Sequence, residues 1–257
     1  MRTHAINIAN IAHISAVSNR LAFHVYGCAS GRPVHIIASG PSAATYTPDP
    51  DAYVIVCNAA VQQYGHLADL HVMIEEMVWV FPWAKPTDAF RGRTVLDMGC
   101  ARNIPDDLRD EVGAHWWNQA IWTRRQNYTD GQDLSVMGDG PVQVHSMFGG
   151  VGLCAIHIGC AANKMHTIHT WGMELHFPNG QQHFYGDRPY APGNQLTSCV
   201  SFDIADGEPV IGDGPYTSTP FFIRASQAIR HVVQSSGVDL VDHGGGLLNP
   251  LEMHTCN

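Results

Sequence analysis

Three short apolar runs constrain this chain most: Val34-His35-Ile36-Ile37-Ala38, Tyr53-Val54-Ile55-Val56-Cys57 and Leu70-His71-Val72-Met73-Ile74. Each is short and rich in β-branched side chains, the pattern of a strand buried on both faces. The segments between them run to about a dozen residues, long enough for crossover connections, so the runs predict neighbours in a mostly parallel sheet with helices on both faces. Periodicity extends the reading in both directions. Ile8, Ile11, Ile14, Val17 and Leu21 recur every three or four residues and predict an amphipathic helix within residues 1–30, packed on the core. Residues 149–162 read as a helix opening on glycines, 166–171 as a strand, 222–235 as a helix and 238–242 as a last strand.

Two stretches interrupt this regularity. Residues 78–144 contain Pro82, Pro86, Pro105 and Pro141 with the aromatics Trp79, Phe81, Trp83, Trp116, Trp117 and Trp122. Such aromatics could line an acceptor pocket, but their large buried area more commonly serves a core or a lid. Residues 178–220, rich in Pro, Gly and Asp, are too long for an ordinary connection and predict an active-site lid or an irregular excursion. The expected organisation is therefore one α/β domain over residues 31–257, preceded by the helical segment.

Composition narrows the function classes. A chain of 257 residues, 45% hydrophobic and 14% charged, is globular rather than disordered, and its core needs neither metal nor disulfide. With 14 Lys+Arg against 23 Asp+Glu, and Lys85 and Lys164 as its only two lysines, it has no material for a broad nucleic-acid-binding face. Any basic groove would be built from arginines. The seven cysteines are scattered without a C-x-x-C pair, which points to a reducing compartment. The first twenty residues contain no continuous apolar region of the signal-peptide kind, and no segment nears the ~20 apolar residues of a membrane span. The expected location is the cytoplasm.

Chemistry-bearing motifs follow the predicted strands. Ser39-Gly40-Pro41-Ser42 is a small-residue turn at the carboxyl end of the first, where ligands sit in open parallel sheets. Such a turn lets a ligand approach backbone N–H groups, although Pro41 removes one donor and rules out a Walker-type loop. Asn58 ends the second strand and carries both a donor and an acceptor for a base, ribose or phosphate; it also reads as a plain turn residue. Glu75 and Glu76 follow the third strand, and because neighbours in extended chain point apart, Glu75 is taken as the one facing the site. Gly149 and Gly150 open a helix whose N-terminus suits an anion, and they equally suit tight helix-on-sheet packing. Glu174 and His183 follow the 166–171 strand as a carboxylate–imidazole pair fit for acid–base work. No His/Cys zinc spacing is present, and no metal ligands are assigned.

Together these residues resemble the MptE-like domain, the family of the archaeal 6-hydroxymethylpterin diphosphokinase. The resemblance rests on residues 31–42 with their G-P-S turn, on Ala68-Asp69 and the strand ending at Glu75, on Gly149–Leu153, on Gly172-Met173-Glu174 and His183, and on Gly244-Gly245-Gly246-Leu247-Leu248, similar to the glycine turn of bacterial and phage members. The layout is also similar to bacterial sialyltransferases of Rossmann-like fold, which pair a G-P-S turn with a Cys-Asn like Cys57-Asn58. The resemblance implies a Rossmann-like transferase using a nucleotide-linked donor. Glu75 and Glu174 stand where MptE-like proteins usually have Asp, a one-carbon displacement that matters for magnesium.

Three functions fit these expectations. In the first, a nucleotide sugar donates to a hydroxyl acceptor; Ser39, Gly40, Pro41, Ser42, Asn58 and Glu75 bind the nucleotide, Gly149 and Gly150 receive its phosphate, and His183 with Glu174 supplies the base. In the second, ATP transfers a diphosphoryl group to a pterin-like alcohol with Mg2+ on Glu75 or Glu174. The scarcity of Lys and Arg in the site loops favours the first, because phosphoryl transfer enlists such cations. In the third, a virion- or assembly-associated module keeps the fold without catalysis. A homo-oligomer is compatible with all three.

Overall fold

The structure, a computed structural model, describes residues 27–29, 31–74, 83, 93–97, 121–125, 142–144, 150–162, 167–180, 199–205 and 208–248. The predicted N-terminal helix, Glu75, Gly149 and His183 lie outside these residues, as do His166 and most of the aromatic set; Trp83 is buried.

The three apolar runs form β1 (Val34–Ile37), β2 (Tyr53–Cys57) and β3 (Leu70–Met73), paired in parallel. Between β2 and β3 the chain makes short helical turns that include α1 (Val61–Tyr64). The segment expected to be irregular instead contributes β4 (Arg93–Asp97), β5 (Ile121–Arg125) and β6 (Val142–Val144), all parallel to their neighbours. Helix α2 (Gly150–Ala162) then leads to β7 (Ile168–Trp171), and α3 (Pro220–Ser236) to β11 (Leu240–Asp242). The eight parallel strands lie in the order β11-β7-β1-β2-β3-β4-β5-β6. The chain therefore builds outward from β1 to β6 and then returns to β1's other side.

Residues 178–220 are not wholly irregular either. Val200–Ala205 (β8), Glu208–Ile211 (β9) and Tyr216–Ser218 (β10) form a three-stranded antiparallel sheet in the order β10-β8-β9. The strict alternation of Val200, Phe202 and Ile204 with polar or small residues explains β8: Phe202 buries against Ile223 and Leu247 while Ser201 and Asp203 face outward.

Alternation also divides the main sheet into two faces. Val34, Ile36, Ile55, Leu70, Val72, Ile168 and Leu240 pack against α2 and α3 through Leu153, Ile156, Ile229, Val232 and Val233. The opposite face carries His35, His71, His169 and Trp171; there Tyr46 packs on His35 and Trp171, and Tyr64 of α1 packs on Tyr46. Helix α3 is well delimited. Thr219 Oγ accepts the Phe222 N–H at 3.2 Å, Pro220 occupies its first turn, and Gly237 ends it in the left-handed conformation. Among the described residues no helix is long and apolar enough to cross a membrane.

Candidate functional site

The reversal in strand order falls between β1 and β7, so the segments leaving their carboxyl ends diverge from the point where open α/β sheets bind ligands. Here those segments are tied together. Beyond the last register pair, Ile37 with Trp171, the Ala38 N–H donates to the Trp171 carbonyl (2.8 Å) and the Gly40 N–H to the Gly172 carbonyl (3.0 Å). The Gly172 N–H donates to Ser42 Oγ (2.7 Å), and the Ser42 N–H donates to Glu174 Oε1 (2.5 Å). Ser42 and Glu174, far apart in sequence, thus close one clasp.

Glycine is required on both sides of it. Gly172 has φ +71°, and a Cβ there would stand 2.5 Å from the Ala38 carbonyl oxygen; one at Gly40 would meet the Glu174 carboxylate and, at 2.7 Å, the Gly172 carbonyl. A third segment completes the arrangement. After β11 the chain turns through Gly244-Gly245-Gly246 so that the Leu247 N–H donates to the Glu174 carbonyl (2.8 Å), and Gly244 approaches Glu174, Asp242 and Ser42. Leu175, next to Glu174, is held at φ +55°, a strained conformation for a branched side chain, with its carbonyl accepting from Ser218 Oγ (2.5 Å).

This geometry changes the role that several residues can take. The N–H groups of Gly40 and Ser42, expected to face a ligand, are occupied by Gly172 and Glu174. The Glu174 carboxylate is only 2% exposed and acts as the anchor of the turn. Ser39 stands half-buried at the start of the same turn. Asn58 sits at the tip of β2, beside β1, in the left-handed conformation (φ +47°); its carbonyl pairs with His71 Nε2 at 3.0 Å, and its buried Oδ1 has no hydrogen-bond partner among the described residues. Gly150, at φ +57°, opens α2 against Phe221, and Gly152 packs against Met173, so this helix N-terminus lies beside the Gly172–Glu174 segment. The structure therefore gathers Gly40, Pro41, Ser42 and Glu174 directly and brings the opening turn of α2 to them through Met173.

Sequence reasoning missed Asp242. At the end of β11 its Oδ1 accepts from Thr170 Oγ (2.8 Å), while its buried Oδ2 has no partner among the described residues. Burial pushes its carboxyl up to about 6; the Thr170 hydroxyl and the Gly244 and Gly246 amides oppose this, and the nearby Glu174 adds to it. The available signal was an acid closing a strand just before a glycine turn. Among the described residues, no three His, Cys, Asp or Glu side chains gather where they could hold a metal ion, and Glu174 Oε1 is taken by Ser42, so no step through Mg2+ is derived.

The clasp has a testable energetic consequence. Glu174→Ala removes the acceptor of a buried N–H and leaves a void, and is expected to lower stability by about 2–4 kcal/mol, whereas Glu174→Gln keeps an acceptor oxygen and should lose about half of that or less. Denaturant midpoints of the two variants measure the difference; equal losses would show that the Ser42–Glu174 bond contributes nothing.

Compared with known proteins, the chain matches no family model, no curated protein and no solved structure.

Proposed function

We propose that this chain is a nucleotide-dependent transferase that moves a glycosyl group from a nucleotide-sugar donor to a hydroxyl acceptor, as the likeness to MptE-like proteins and Rossmann-like sialyltransferases implies. The observation that carries the reading is the reversal of strand order between β1 and β7, with the Ser39–Ser42 turn lying across it. Because the Gly40 and Ser42 amides are engaged, the turn acts as a rigid wall, and recognition passes to the groups beside it. Ser39 and Asn58, whose Oδ1 has no partner among the described residues, meet the nucleoside, and Glu75, which follows the third strand in the sequence, joins them as the resemblance implies. The N-terminal turn of α2, from Gly149 and Gly150, receives the donor phosphate, where N–H groups stabilise the charge that builds as it leaves. His183 takes the acceptor's hydroxyl proton as the new C–O bond forms; the bond from the anomeric carbon to the phosphate oxygen breaks, and its electron pair leaves with the phosphate. Glu174 holds the turn in place.

The test is a thermal-shift panel of CMP, UDP, GDP and ATP, each with and without Mg2+. A nucleotide held at about a hundred times its Kd should raise Tm by about 5–10 °C. Stabilisation by a pyrimidine nucleotide without magnesium is the expected result. Asn58→Ala should abolish most of that shift, and His183→Ala should leave it intact while cutting turnover. A shift with ATP and Mg2+ alone would replace this reading with diphosphoryl transfer to a pterin-like alcohol. Silence across the panel would overturn catalysis in favour of a module that keeps only the fold.

A further inference from the structure

On the face of the sheet opposite α2 and α3, side chains from three strands meet in a cluster that the proposed chemistry does not use. His35 of β1, His169 and Trp171 of β7, and His243 just past β11 lie ring against ring. Trp171 and His243 are parallel within 3° at 4.1 Å, His169 and His243 are stacked at 5.3 Å, and His35 is 5.2 Å from His169. His169 Nδ1 and His243 Nε2 stand 3.1 Å apart. At that separation one nitrogen donates and the other accepts, and the bond survives while at least one ring is neutral. A second proton makes both nitrogens donors and sets two like charges against each other.

Few other charges face the pair. Among the described residues, His35 lies against His169 with its own Nδ1 3.2 Å from the Tyr46 hydroxyl, the Asp49 carboxylate acts on His35 and His169 at longer range, and the Asp242 carboxyl, next to His243 in the chain, accepts from the Gly244 and Gly246 amides of the same turn. Trp171 carries no charge. Burial draws both His169 and His243 below the ordinary histidine range; His243 pushes His169 the same way, and Asp49 partly opposes it. The pair also sits at a mechanical junction. His243 donates its backbone N–H to the Thr170 carbonyl (2.9 Å) and opens the glycine turn that ends with Leu247 on the Glu174 carbonyl.

We infer that the His169–His243 pair is a proton-operated latch: with one ring neutral it fastens the end of β11 to β7, and the second proton releases the 243–247 turn from the Glu174 clasp. The regulatory meaning rests on the transferase reading above, in which that turn borders the donor crevice; the latch itself does not.

The experiment follows amide exchange by NMR on the full chain from pH 7.5 to 4, with each rate normalised to the random-coil rate at that pH, beside the imidazole Cε1–H titrations of His169 and His243. Protection of the Leu247 amide should fall, through the second step of the pair's titration, by about tenfold more than that of the Ile37 amide in β1, which follows the stability of the whole fold; that factor is within the range that coupled sites transmit. His243→Gln, a change at an exposed position that keeps a polar side chain, should flatten the Leu247 response. Leu247 and Ile37 losing protection in step, or an unchanged pH response in His243→Gln, overturns the latch. This readout needs no ligand. Failure of every nucleotide to bind defeats the transferase reading and leaves the latch standing, whereas a flat Leu247 profile in a chain that binds CMP does the reverse.

Discussion

Gly172→Ala is expected to be strongly destabilising, lowering stability by about 3–5 kcal/mol and Tm by about 10 °C. Two effects combine. An alanine at φ +71° sits in the left-handed region at a cost of about 1–2 kcal/mol. Its Cβ would also lie 2.5 Å from the Ala38 carbonyl oxygen and 2.9 Å from the Gly40 nitrogen. Both atoms are backbone, and each belongs to a residue whose N–H is bonded to the end of β7, so neither can retreat without opening a hydrogen bond. Gly237 supplies the control. It has a similar φ of +65° at the end of α3, but nothing lies within 4 Å of the position a Cβ would take. Gly237→Ala should therefore show the conformational part alone, about 1 kcal/mol. Thermal unfolding of both variants separates the terms, and equal losses would mean that the close approach of β1 and β7 is not what glycine serves.

That approach illustrates which parts of the structure could be read from the chain alone. β1, β2 and β3 are buried on both faces and dominated by apolar, mostly β-branched side chains, so their residues declare themselves in any short window. The strands at 93–97, 121–125 and 142–144 do not: Arg93-Thr94-Val95-Leu96-Asp97 and Ile121-Trp122-Thr123-Arg124-Arg125 mix charges with apolar side chains among many turn formers, and only pairing with β3 and its neighbours makes strands of them. β8 has the period of a strand, but it is submerged in a stretch dominated by Pro, Gly and Asp. Strand order is the larger gap. Ser42 and Glu174 each stand out as residues at a strand's end, yet nothing local says that β7 lies beside β1, and without that adjacency the carboxylate reads as a catalytic group rather than the acceptor of the Ser42 N–H. The imidazole cluster was hidden for the same reason: His35 and His169 are opposite one another only through the register of β1 with β7. Asp242 combined both difficulties, being a strand-terminal acid whose partner, Thr170, lies on a different strand.

Buried imidazoles give the second large expectation, a loss of stability on mild acidification. His35 and His71 are 6% and 2% exposed, and burial pushes both from the ordinary 6.5 down to about 4. For His35 the neighbouring His169 and His243 add to the effect and Asp49 opposes it; for His71 the bond to the Asn58 carbonyl opposes it. As pH falls from 6.5 the unfolded chain protonates both rings and the folded chain does not, so stability drops through the window from 6.5 to about 4, by about 3 kcal/mol for each ring at the lower end. Asp242 works in the opposite direction. Its carboxyl, raised from 3.8 to about 6, takes up a proton in the folded state first and returns about 2 kcal/mol over the same window. The two rings outweigh the one carboxyl, leaving a net loss of about 4 kcal/mol between pH 7 and pH 4, to which the lowered His169, His176 and His243 add with the same sign. Urea unfolding at pH 7, 5.5 and 4 measures the slope. His71→Gln retains a donor for the Asn58 carbonyl and removes one titrating ring, so it should flatten the slope, whereas Asp242→Asn should steepen it by deleting the opposing gain. Stability that stays constant across this window, or variants that move the slope in the reverse directions, would show that these groups titrate alike in the folded and unfolded chain and that the polar face of the sheet is open to water.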